Sequence, residues 1–132
     1  MTTFLTRDAI FAVSDIQTED VFVPEWNGTV KVRGLTAAER DVYETSIVSQ
    51  RGKNVELNRQ NIRAKLVALS VVDEAGVRIF ADTDVRKIGE KSAAAVDLLY
   101  GVASRLSGLS KDDEDELAKN SESGQNDDSP SA

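Results

Sequence analysis

The segment from Val21 to Glu39, VFVPEWNGTVKVRGLTAAE, constrains the fold more than any other, because it changes hydrophobic period within a few residues. Val21 and Val23 flank Phe22, and Val30 and Val32 alternate with Lys31 and Arg33, the period of two expected of half-buried strands. Asn27-Gly28 lies between them and predicts a two-residue type I′ hairpin with Trp26 and Thr29 at its mouth. Pro24 has no amide hydrogen, so the first strand is expected at a sheet edge or bulged. Past Gly34, Thr36 and Glu39 stand at the spacing of a capping box, which opens a helix.

A chain of 132 residues has room for one substantial core. Its net charge of −7 is unevenly spread. Residues 1–111 hold fifteen basic and fifteen acidic side chains, whereas residues 112–132 hold eight acids and Lys119, so the whole excess lies in that last segment. The segment is rich in Ser, Asn, Asp and Gly and poor in apolar residues. The expectation is a single α+β domain over 1–111 and a disordered acidic C-terminal tail over 112–132.

Helical spacing organises the rest. Thr6 predicts an N-cap for a short helix from about Arg7 to Val13 that buries Ile10 and Val13, with Leu5 and Ile10 as its staple. The Thr36 helix is expected to run to about Gln50, with Val42, Tyr43, Ile47 and Val48 on one side and Gly52 at its end. Asn58 predicts the cap of a core helix carrying Ile62, Leu66 and Leu69 to about Val72. The end of LVALSVV also reads as a strand, pairing across Asp73–Gly76 with Val77–Phe80. A short helix follows Asp82–Asp84 and ends at Gly89, and an amphipathic one spans Ser92 to Ser107 with Val96, Leu99, Val102, Ala103 and Leu106 aligned. These elements assemble, on this reading, as a short N-terminal helix and a β-hairpin packed on a bundle of about four helices.

The residues offer little reactive chemistry. Cysteine and histidine are absent, which removes thiolate nucleophiles, disulfides, the commonest zinc ligands and the usual general base. Asp82 and Asp84 form a DxD pair, but helix capping accounts for both without a metal. No phosphate-binding glycine pattern occurs, so no enzyme, metal or cofactor is expected. Two binding features stand out. One is a basic cluster of Arg51, Lys53, Arg59, Arg63 and Lys65, broken only by Glu56. No aromatic platform accompanies it and the domain is neutral, so a solvated face is the simpler reading and a nucleic-acid-binding regulator the less favoured one. The other is apolar: Phe22, Trp26 and Tyr43 are the candidate anchors for a protein partner. No run is long and apolar enough to cross a membrane, and the N-terminus does not read as a signal peptide, so a cytoplasmic location is expected.

VPEWNGTVKVRGLTAAERD, then RAKLVALSVVDEAGVRIF, then EKSAAAVDLLYGVASRLSGL and the final ELAKNSE together resemble the tail assembly chaperones of long-tailed bacteriophages over about residues 15–122. The resemblance implies a non-enzymatic protein of the host cell cytoplasm, absent from the mature virion. Its partner would be the tape measure protein, a long helical chain kept soluble while tail tube protein assembles around it. It also implies a longer form made by programmed frameshifting, with which this chain would associate; a homo-oligomer is a separate expectation. A small structural head-tail connector is the alternative.

Overall fold

The computed structural model describes residues 3–51, 54–57 and 61–109. Strands β1 (Thr18–Val23) and β2 (Gly28–Arg33) form the antiparallel pair foreseen from their alternation, with Val21 opposite Val30 and Val23 opposite Gly28. Their connection is not the two-residue turn. Pro24–Trp26 make one 3-10 turn, and Asn27 alone takes the left-handed conformation, its amide returning to the Pro24 carbonyl at 3.1 Å. Proline cannot extend the ladder but is pre-set for the first position of a helical turn, so the strand stops before Pro24 and Gly28 is left to pair. β1 lies at the sheet edge, as Pro24 implied.

A third strand completes this sheet. The core helix α3 (Ile62–Ser70) ends two residues earlier than Val72, and Val71–Val72 form β5 on the free side of β2, in the order β1-β2-β5. A β-branched pair loses side-chain freedom in a helix and gains cross-strand neighbours beside Val32. Asp73 then organises the return. Its Oδ1 accepts the amides of Ala75 at 2.8 Å and Val77 at 3.0 Å, Gly76 supplies φ +85°, and Val72 bridges Arg78. The strand reading of LVALSVV therefore holds for its last two residues.

α2 (Ala37–Ser46) opens with the expected capping box: Glu39 N–H donates to Thr36 Oγ1 at 3.1 Å, and Thr36 N–H to Glu39 Oε1 at 2.9 Å. It stops at Ser46 and not at Gln50, because Val48–Arg51 (β3) pairs with Asn54–Leu57 (β4) as a second hairpin, Val48 opposite Leu57. Tyr43 and Ile47 face the core, whereas Val42 is exposed. Gly52 and Asn58, expected at helix ends, lie outside the described residues, and α3 follows Asn61 in a left-handed conformation. After the Asp82–Asp84 turn and the short α4 (Val85–Ile88), helix α5 (Ala93–Leu106) is capped by Ser92. It closes as the sequence indicates, with Leu109 N–H on the Ser104 carbonyl at 2.8 Å and Gly108 at φ +72°.

Val23, Val32, Tyr43, Ile47, Leu66, Val67, Val71 and Leu99 form the sealed centre between the sheet and the helices. The fold is α+β, but the helical part is α2, α3 and α5 with the one-turn α4, not a regular bundle. Gly34 is required where β2 meets α5: a Cβ there would stand 2.5 Å from the Leu106 carbonyl oxygen.

The N-terminal helix departs furthest from expectation. Thr6 does cap α1 (Arg7–Ala12), accepting from Ala9 at 3.2 Å, but none of its residues is buried, and Ile10 and Val13 remain about half exposed. A six-residue helix is too short to present a continuous apolar row, and the sealed core has no place left for one. The expected acidic tail, 112–132, lies outside the described residues.

Candidate partner-binding surface

The 3-10 turn that replaces the simple hairpin sets Trp26 down on the core, half-buried, and turns Phe22 the other way. Val21 and Val23 of β1 point into the core, so the intervening Phe22 stands on the outer face of the sheet at 56% exposure. Trp26 forms one wall of a groove of about 610 Å³ whose other walls are Ile79, Phe80 and Ile88, rimmed by Asp84, Lys87 and Lys91. Ile79, itself 53% exposed, also lines a second depression of about 460 Å³ with Asp20, Thr29, Val30, Lys31, Val72, Asp73 and Glu74. That residue thus joins the groove to the outer face of the sheet, where the Lys31–Asp20 ion pair at 2.8 Å lies two register steps from Phe22.

The elements that carry this surface are tied together. Arg33 clamps Glu39 through two parallel hydrogen bonds of 2.7 and 2.8 Å and donates again to the Leu69 carbonyl at 3.1 Å, tying β2 to α2 and α3. The guanidinium's hydrogen bonds, helped by the Thr36 amide and opposed by partial burial, hold the Glu39 carboxyl well below the usual range, at about 2. Arg78 anchors the loop carrying Val77 and Ile79 to the Ala68 carbonyl at 3.1 Å and to Asp82 at 2.9 Å.

Tyr43, the third expected anchor, is 1% exposed and belongs to the core, so it is not part of this surface. A tyrosine at helical spacing reads the same whether it faces core or partner, and only the position of α3 decides. Of the basic cluster, Arg63 pairs with Asp97 at 2.6 Å and lies over the Tyr100 ring, and Lys65 donates to the Ser46 carbonyl at 2.8 Å. Those two cations are spent on internal contacts. The side chains of Arg51, Lys53 and Arg59 lie outside the described ones. The DxD pair is likewise engaged, Asp82 by Arg78 and Asp84 by the Ala81 amide at 2.8 Å. Among the described residues no group of three or more acidic side chains is placed to hold a metal ion, and no helix is long and apolar enough to cross a membrane.

What sequence reasoning missed is an apolar arm. Phe4, Leu5, Ile10, Phe11, Val13 and Ile16 are all exposed, from 87% at Phe4 to 41% at Ile16. The signal was present in six large apolar residues within one short segment joined by the polar Ser14-Asp15 to the body. Arm and groove are exposed apolar surfaces.

A family model described as phage tail assembly chaperone matches residues 6–120. The chain belongs to that family. The match takes in the arm helix, both hairpins and every helix of the body, so the whole described architecture is a tail assembly chaperone's. No curated protein and no solved structure matches the chain. Membership accords with a surface whose conspicuous property is uncovered apolar area, not reactive groups.

Proposed function

We propose that this tail assembly chaperone serves a long-tailed phage by binding the tape measure protein in the host cytoplasm and keeping it soluble until tail tube subunits enclose it. It acts without catalysis and is left out of the finished virion. The observation that carries this reading is the apolar surface of Phe22, Ile79 and the Trp26 groove, uncovered in a body whose core is otherwise sealed. An amphipathic client helix laid there would bury its apolar stripe at roughly 25 cal/mol per Å², before the cost of ordering both partners. Lys87 and Lys91 at the rim keep the unoccupied groove hydrated and suit acidic side chains flanking that stripe. A frameshifted longer form would add its extension beyond Leu109, where α5 is already closed, and so would keep the same client surface.

Co-expression tests the reading. The soluble fraction of the tape measure protein should rise several-fold with this chain present, and the Phe22→Ser/Ile79→Ser variant should lose most of that gain while staying folded. Equal solubility with and without the chain contradicts it. Mass spectrometry of purified virions should find the chain absent; a fixed copy number per particle would indicate a connector instead.

A further inference from the structure

The chain carries both halves of an apolar contact that do not meet within one copy. The large apolar residues of the arm from Phe4 to Ile16 are all exposed, and the Trp26–Ile79–Phe80–Ile88 groove has no arm residue among its walls. They also sit at opposite ends of β1. The arm joins the body at Gln17, whose carbonyl accepts the Gly34 amide at 2.9 Å, and Trp26 lies past the other end of that six-residue strand, roughly 20 Å away. We propose that two copies exchange arms, each laying Phe4, Ile10 and Phe11 into the partner's groove.

Area and charge both select a second copy as the occupant. Aromatic side chains bury about 150–250 Å² each when covered, so the arm's six exposed apolar residues offer roughly 600 Å². If half of that is covered against the smaller area of the groove, one docking buries roughly 450 Å², too little to hold alone. A reciprocal pair buries roughly 900 Å², the size of a weak, reversible interface. A two-fold dimer reaches that size from one arm and one groove per chain, with no further surface required. The arm's charged residues are Arg7, Asp8 and Asp15; Arg7 already pairs with Asp8 at 3.0 Å and covers Phe11, leaving a net negative arm. The rim has Lys87 and Lys91 against Asp84, whose carboxylate is held by the Ala81 amide. A negative arm thus meets a positive rim.

Sedimentation of the full chain without any client separates this inference from the proposed function. Wild type should form a dimer at micromolar concentration that weakens as salt is raised. Phe4→Ser/Phe11→Ser should be monomeric with an unchanged unfolding midpoint. Lys87→Glu/Lys91→Glu should dissociate at least roughly tenfold more readily, and mixing it with Asp8→Lys/Asp15→Lys should restore heterodimer. A wild-type monomer would overturn the proposal, whether its arm stays free or folds onto its own groove. So would a dimer that survives the arm substitutions, which would place the interface elsewhere. The inference shares its groove with the proposed function, so client binding is read separately: the Phe4→Ser/Phe11→Ser variant, its groove open, should still raise tape measure solubility if that function holds.

Discussion

Helix α5 and the N-terminal arm are built from similar side chains and end in opposite environments. In α5, Val96, Leu99 and Ala103 recur at spacings of three and four, and the helix is fourteen residues long, so one stripe runs continuously against the sheet and α3. In the arm, Ile10 and Phe11 are neighbours about 100° apart on a six-residue helix, and Phe4, Leu5, Val13 and Ile16 lie outside that helix altogether. Apolar content does not by itself bury a segment. Periodic continuity over several turns does, and a segment without it keeps its apolar area for another molecule.

Breaking the buried side should cost most. Leu99→Ala, at a fully sealed position, is expected to lose about 2–5 kcal/mol in urea unfolding. Gly34→Ala, which forces a methyl group against the Leu106 carbonyl, should lower the midpoint by a comparable amount because backbone and not a flexible side chain must move. Either variant retaining wild-type stability would mean that α5 does not seat on β2 as described.

Next comes the ion pair that ties β2 to α2. The Glu39 carboxyl has its folded pKa lowered to about 2, so its contribution is fully present above the ordinary carboxylate pKa near 4.3 and disappears as pH falls through the folded value. With the side chain 30% exposed, about 1–2 kcal/mol is expected. Glu39→Gln should therefore be less stable than wild type at pH 7, and the gap should close between about pH 4.5 and 2. A gap independent of pH would remove the charge from the explanation.

Arm substitutions should matter least to stability. Phe4→Ser/Phe11→Ser is expected to change the unfolding free energy by less than about 0.5 kcal/mol at concentrations where the chain is monomeric, a sharp contrast with Leu99→Ala. Ser70→Ala is a control of similar size in the buried half. The Ser70 hydroxyl is buried with no hydrogen-bond partner among the described residues, so its removal should be neutral or slightly stabilising.

The fold was legible wherever local chemistry decides. Thr36 with Glu39, Ser92, and Gly108 with Leu109 mark their helix ends by hydrogen bonds within a few residues, and the Val21–Val32 alternation marks its strands. It was open to two readings, or misread, where two distant segments compete. Val71–Val72 leave the helix only because β2 offers a free edge, and Val48 leaves its helix only because Leu57 stands opposite. Of the candidate anchors, Phe22 is exposed as alternation on β1 implies, whereas Trp26 lies half-buried against the core. Tyr43 went to the core and the arm stayed out, since burial there depends on which elements claim the limited core.

Trp26 is the only tryptophan in the chain and a wall of the groove, so its fluorescence reports directly on whether uncovered apolar surface takes a client. Titrating the protein with apolar helical peptides from the tape measure protein should move the emission to shorter wavelength and saturate, and Ile79→Asp should abolish the response. Emission that stays unchanged through the titration would contradict the account.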